Sequence, residues 1–252
     1  MASIALGLSV FVLLSAIALT TLHLHRRLPE EHRSEATHDA VKVGVGLVVV
    51  VSALVLGLLI ASVKNTFDTA ARDLKRFSTE AVLLDRTLRA YGPAAVPART
   101  LLERYIEQAL AGTWPRNGRA EIVDDPRAEQ LIYQVQDTIL GLLPDNPKQR
   151  ALSDELRSEV RRLIELRWIL VEEASTSLNV PLVSVLVIWL SLIFASFGYN
   201  APRNTVVMTT FVLCAASIGG ALFLIIQMDQ PFQGLIKVSP AALEAALSHI
   251  RE

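Results

Sequence analysis

"VGVGLVVVVSALVLGLLIASVKNTFDTAARDLKRFSTEAVLLDRTLRAY", Val43 to Tyr91, changes its solvent partway along. Val43 to Val63 holds no Asp, Glu, Lys or Arg. That run approaches the roughly 20 apolar residues that cross a bilayer at ~1.5 Å each. From Lys64 onward charges recur every few residues. Neither Gly nor Pro lies between Lys64 and Tyr91, so nothing in the sequence stops a helix at the water boundary. The stretch predicts one long rod that begins as a membrane span and continues outside it.

Three further apolar runs accompany it: about Ala2 to Leu22, Val180 to Phe197 and Val206 to Met228. The first is too long for the core of a signal peptide. Its basic residues, Arg26 and Arg27, follow it rather than precede it, which reads as a retained span. Pro181 opens the third run, where a missing N–H costs nothing. None of the four carries a full charge, which argues against a transporter coupled to an intramembrane ion or proton site. The composition agrees: 52% of the 252 residues are hydrophobic and 19% charged, against about 25% charged in a soluble domain. The deficit lies at the two ends of the chain, and the middle is charged.

Residues 64–179 read as helices. Leu152, Leu156, Val160, Leu163, Leu166 and Leu170 recur at helical spacing, as do Leu101, Leu102, Tyr105, Ile106 and Leu110, and Leu131, Val135, Ile139 and Leu142. Breakers separate them at Gly92-Pro93, Pro97, Trp114-Pro115, Asn117-Gly118, Asp125-Pro126, Pro144 and Pro147. The last of these helices runs from about Gln149 almost to Pro181. The expected fold is therefore all-α: a four-span helical integral membrane protein with a helical extramembrane domain between spans 2 and 3. Its segments are 1–63 (spans 1 and 2), 64–179 (extramembrane domain), 180–228 (spans 3 and 4) and 229–252 (a C-terminal segment).

Four spans place both termini and the middle on one side. Basic residues flank both alternatives. Arg26, Arg27 and Arg33 lie in the first loop, and Lys64, Arg72, Lys75, Arg76, Arg161, Arg162 and Arg167 lie in the middle. Charge bias alone leaves the orientation open.

Several function classes find no support. A net charge of −1, without an isolated basic run, gives nucleic acid no footprint. Cys214, the one cysteine, sits in an apolar run and reads as a small buried side chain. His23, His25, His32 and His38 crowd the first loop at irregular spacing, which suits solvated or headgroup-facing residues better than a metal site. No nucleophile elbow, phosphate loop, HExxH or CxxC is present. The reading is a non-enzyme with no cofactor and no metal, whose first partner is the lipid bilayer.

Two membrane features carry more information. In "CAASIGGA", Ala215 pairs with Gly219 and Ala216 with Gly220 at small-xxx-small spacing, which lets helix backbones approach closely. In span 2, Val50, Leu54 and Leu58 lie four apart on one face. In so apolar a helix the default reading of that face is lipid contact or packing.

"VLGLLIASVKNTFDTAARD" (Val55 to Asp73), "NVPLVSVLVIW" (Asn179 to Trp189) and "PFQG" (Pro231 to Gly234) together resemble the bestrophin channels. "LPEEHR" (Leu28 to Arg33), "LDRTLRAYGP" (Leu84 to Pro93) and "GYNAPRN" (Gly198 to Asn204) are similar to a set of bacterial bestrophin-like membrane proteins, over nearly the whole chain. The resemblance implies four-span subunits in the bacterial inner membrane, with cytoplasmic termini and a cytoplasmic middle domain. It implies a homo-oligomer, a pentamer, around a pore for small anions. Aligned on Val55-Leu56-Gly57, the hydrophobic neck of that pore falls on Val50, Leu54 and Leu58. A constriction of this kind gates by dewetting.

Two departures matter. The neck positions here are aliphatic, where bestrophins favour aromatics. The residues after Gly234 are Leu235, Ile236, Lys237, Val238 and Ser239, where bestrophins carry an acidic run that helps to bind calcium. Asp229 alone cannot supply the several oxygen ligands that calcium takes, so no calcium clasp is expected. The cluster Asp229, Pro231, Phe232 and Gly234 then reads as a docking turn that returns the chain from span 4 to the middle domain. The alternative function is a non-conducting membrane scaffold or sensor whose helical domain binds a partner. Motor-stator proteins, which also place a large domain between spans 2 and 3, share this layout.

Overall fold

A computed structural model of the chain describes residues 2–24, 35–114, 125–175, 180–202 and 204–252. Among the described residues all regular structure is helical. The helices are α1 (Ala2–Leu24), α2 (Glu35–Tyr91), α3 (Val96–Thr113), α4 (Pro126–Leu140), α5 (Pro147–Ser175), α6 (Val180–Asn200), α7 (Thr205–Asp229) and α8 (Ala241–Arg251). Four of them are long and apolar enough to cross a membrane. The protein is a four-span helical integral membrane protein. α2 is the continuous rod that the sequence predicts, 57 residues long, and it begins eight residues before Val43.

The described chain divides into two compact units. One comprises residues 1–65 and 177–229, the other 66–176 and 230–252, and α2 contributes to both. In the first unit α1 packs against α6 and α7. Val10, Leu14, Ala18, Leu186, Leu190, Ile193, Ala215, Leu222 and Ile225 form its core, together with Leu59 and Val63 of α2. Lipid tails are as apolar as leucine, so helix association here depends on close packing rather than on expulsion of water. Small residues permit it. A Cβ on Gly219 would lie 2.9 Å from the carbonyl oxygen of Gly7, and a Cβ on Gly7 3.1 Å from that of Gly219. On α6, a Cβ on Gly198 would collide with the Thr21 hydroxyl and the Ala18 carbonyl of α1. Trp189 is half-buried on α6.

The second unit has its own apolar core, built on Leu74, Phe77, Leu84, Leu88, Leu102, Tyr105, Ile132, Ile139, Leu156 and Leu163. Gly92, at φ 106°, ends α2 in a backbone conformation that favours glycine. The chain then makes one 3-10 turn, Pro93–Ala95, into α3. Three prolines that read as breakers open helices instead. Pro97 and Pro126 lie in the first turns of α3 and α4, and Pro147 is the first residue of α5. At those positions the missing N–H has no intrahelical partner to lose. Asp125 caps α4 by accepting the Arg127 N–H at 2.9 Å. Asn146 accepts from the Gln149 N–H at 2.9 Å while the Gln149 side chain accepts from the Asp145 N–H at 2.8 Å, a reciprocal pair like a capping box. α5 ends at Ser175, and the stretch between it and Val180 lies outside the described residues.

The glycine contacts separate two chemically identical substitutions. Gly198→Ala is expected to destabilise the first unit by about 1–3 kcal/mol through overpacking against α1. Gly220→Ala, with no described atom within 4 Å of the new methyl, should be neutral or slightly stabilising. Thermal unfolding of the two purified variants in detergent measures the difference.

Candidate functional site

The second span is the least buried of the four. Leu59 and Val63 reach the core of the first unit, and Ser52 is buried with them. The opposite side of the helix is uncovered: Val50 is 66% exposed, Leu54 73% and Leu58 66%. The same face extends to Val43 and Leu47, both as exposed as these three. The three- and four-residue spacing of Val50, Leu54 and Leu58 continues back to Val43. Gly44, Gly46 and Gly57 have no described atom within 4 Å of a built Cβ. The result is a smooth aliphatic strip without an aromatic side chain, left unpartnered within one subunit.

The small-residue pairs of span 4 divide by face. Ala215 and Gly219 are buried, with Gly219 against α1. Ala216 and Gly220 are exposed and line a shallow apolar groove with Gly7, Phe11 and Phe223.

The expected docking turn is built around one aromatic. α7 ends at Asp229, which is half-buried. Pro231 and Phe232 are buried, and Phe232, 3% exposed, belongs to the core of the second unit. Its ring meets Trp114 edge to face at 5.9 Å between centroids. The indole Nε1 of Trp114 donates to the Val238 carbonyl at 2.9 Å, and the Val238 N–H donates to the Pro231 carbonyl at 2.7 Å. Gly234, at φ 87°, allows the reversal between those two contacts. The ring is therefore enclosed in protein and does not serve as an exposed interfacial anchor. Nearby, Phe77, Tyr105, Trp114, Arg167 and Phe232 line a cavity of about 40 Å³.

Polar chemistry absent from the sequence reading fixes the end of the chain. Asp85, 3% exposed at its side chain, accepts from Arg89 at 2.6 Å and from Arg99 at 2.7 Å. The same guanidinium groups donate to the last carbonyls of α8. Arg89 reaches His249 and Ile250 at 2.9 and 3.0 Å, and Arg99 reaches Ile250 at 2.6 Å. Positive charge at a helix C-terminus is doubly favourable, through hydrogen bonds and through the helix dipole. Arg251 continues the seam to Glu103 and Glu107 of α3. The four-residue spacing of Asp85 and Arg89 is visible in the sequence, but the long-range partner Arg99 is not.

A half-buried acid, Glu173, lies near the end of α5. Burial, the Asp73 carboxylate, a hydrogen bond with Asp73 and the charge of Glu172 push Glu173 up to about 7. One Glu173 oxygen is buried without a hydrogen-bond partner. Among the described residues no cluster of His, Cys, Asp and Glu has the proximity to hold a metal. His25, His32 and the side chain of His38 lie outside the described residues.

The fold and the uncovered span together define a class: polytopic helical membrane proteins with a helical domain inserted after the second span. Comparison with known proteins narrows it. The family model for the Bestrophin-like domain matches residues 12–243, and the chain belongs to that family. Solved structures agree at the level of fold. A point variant of a bacterial bestrophin homolog from Klebsiella pneumoniae aligns at TM-score 0.62 and 14% identity, covering 97% of each chain. A second variant of that homolog aligns at TM-score 0.61 and 16% identity, covering 99% of this chain and 96% of that one. A structure described only as a membrane protein aligns at 0.60 and 16%, with 99% and 98% coverage. No curated protein matches the chain in sequence.

Two measurements follow from these contacts. Phe232→Ala is expected to destabilise the second unit by about 3–5 kcal/mol, the usual range for a buried phenylalanine. Denaturant unfolding followed by Trp fluorescence would register it. For Glu173, the folded carboxyl holds its proton up to about pH 7, whereas the unfolded one releases it near 4.5. Its contribution therefore weakens stability as pH rises through that window. Glu173→Gln should raise the melting midpoint relative to the native chain at pH 8, and the gap should close by pH 5.

Proposed function

We propose that this protein is an oligomeric membrane channel that passes small anions, with Val50, Leu54 and Leu58 forming its narrowest, hydrophobic stretch. The observation that carries the proposal is the uncovered aliphatic face of α2. A membrane helix with one face in the core of its own subunit and the other bare needs lipid, a neighbouring copy or a pore on that side. The family resemblance supports the pore. In a homo-oligomer, a pentamer in this reading, symmetry would bring the bare faces together around an axis. A ring of Val and Leu side chains passes ions only when wetted, so conduction would depend on the width of the ring.

In the same proposal residues 1–63 and 180–228 hold the membrane spans, and 64–179 is the extramembrane domain, on the cytoplasmic side of a bacterial inner membrane. Residues 229–252 dock the chain end through Asp229, Pro231, Phe232 and Gly234. Ala215, Ala216, Gly219 and Gly220 pack helices within and between subunits. The role is conduction and not catalysis, and it uses no cofactor and no calcium clasp.

Planar-bilayer recording of the purified protein tests it, with the oligomer verified by mass before reconstitution. Anion currents are expected from the native chain. Val50→Ser, Leu54→Ser and Leu58→Ser should each raise open probability or conductance severalfold, since a hydroxyl lowers the dewetting barrier. Silence from the native oligomer and from all three variants would overturn the channel reading in favour of a scaffold.

A further inference from the structure

The cavity beside Phe232 is lined entirely from within the second unit. Its aromatic walls are fixed. Phe77 meets Tyr105 edge to face at 6.1 Å between centroids. Trp114 is held by the Phe232 ring and by its hydrogen bond to the Val238 carbonyl. Two side chains of full charge line the same space, Asp125 and Arg167. They are engaged differently. Asp125 is committed to the start of α4. One carboxylate oxygen accepts the Arg127 N–H at 2.9 Å, and the other accepts from the Gln108 amide at 2.6 Å. The helix N-terminus offsets its charge further. Arg167 is 5% exposed at its side chain, and the Glu129 carboxylate stands 4.0 Å away, well beyond the ~2.7–2.9 Å of a charge-assisted hydrogen bond. The guanidinium also lies over the Trp168 ring at 4.9 Å. The fold therefore keeps a costly buried cation at the wall of an open space instead of filling that space with hydrocarbon. Burial pushes the Tyr105 phenol up while the Arg167 charge works the other way, so the phenol keeps its proton at neutral pH.

We infer that this cavity is a binding site for a small carboxylate anion, with the Arg167 guanidinium as its charge partner and the aromatic side chains around its apolar end. Ligand sites are commonly apolar hollows with a few placed polar groups, which is the character of this one. A planar guanidinium matches a carboxylate through two parallel hydrogen bonds. The rings of Phe77, Trp114 and Phe232 suit a short hydrocarbon body better than a fully hydrated ion. Volume sets the size of the ligand. A water needs ~10–15 Å³ of such space, so about 40 Å³ holds about three or four heavy atoms, as in formate or acetate. A sugar acid does not fit. The inference stands apart from the channel reading, since nothing in it requires a pore.

The test uses the purified full-length protein in deuterated detergent at constant ionic strength. Saturation-transfer NMR on the methyl group of acetate reads contact between ligand and protein. The native chain should give a saturable signal that formate displaces and gluconate does not. Arg167→Gln should weaken the apparent affinity about tenfold or more, because it removes a charge-assisted pair. Ala109 also lines the cavity, and Ala109→Leu keeps the arginine while filling the space. It should weaken acetate binding to a similar degree. Circular dichroism checks that both variants remain helical, and if Arg167→Gln does not fold, Ala109→Leu decides alone. No saturable signal from the native chain would overturn the inference. So would native affinity in either folded variant. Displacement by gluconate as effective as by formate would overturn it too, since an open surface cation and not a hollow of this size would then be the site.

Discussion

Every other element depends on the uninterrupted backbone hydrogen bonding of α2. In hydrocarbon an unsatisfied peptide group costs several kcal/mol, so a chain leaving the bilayer needs either a capped end or a helix that does not stop. This chain takes the second course for 57 residues, until Gly92. One half of the rod lends Leu59 and Val63 to an apolar three-helix assembly, and the other lends Leu74, Phe77, Leu84 and Leu88 to a water-exposed bundle. The two cores obey different physics. The first is held by fit between small residues, the second by removal of apolar surface from water.

The sequence discloses the architecture because the strongest signals here are coarse. Four charge-free runs and helical spacing between them leave little else to consider, and the silence of Gly and Pro between Lys64 and Tyr91 specifies the rod. What it does not disclose is partnership at a distance. Asp85 and Arg89 share a helix and could be paired on paper, whereas Arg99 comes from α3 and the carbonyls of His249 and Ile250 from α8. Prolines mislead for a local reason. Pro97, Pro126 and Pro147 sit in the first turns of α3, α4 and α5, where the ring that would break a helix interior is tolerated, so in the sequence a breaker and an opener look alike.

The candidate site has the same split. Periodicity finds Val50, Leu54 and Leu58 as a face, but only burial separates that face from the one carrying Leu59 and Val63. For Ala215, Ala216, Gly219 and Gly220, spacing makes two equivalent pairs, and contact with α1 makes them unlike. The cluster from Asp229 to Gly234 gains most from the structure. Phe232 stands in the sequence beside a helix stop, and its meaning lies in Trp114, far away in the chain.

The glycine contacts have a mechanical side. Gly7 against Gly219, and Gly198 against Ala18 and Thr21, bring the backbones of α1, α6 and α7 into near contact. Helices meshed at that spacing cannot slide without lifting apart, so the three behave as a stiff frame. α2 meets the frame through larger, more compliant side chains such as Leu59 and Val63 and has open space around Gly44, Gly46 and Gly57. Compliance in the membrane is thus concentrated in one helix, and any widening or twisting of its bare face can proceed without unpacking the rest.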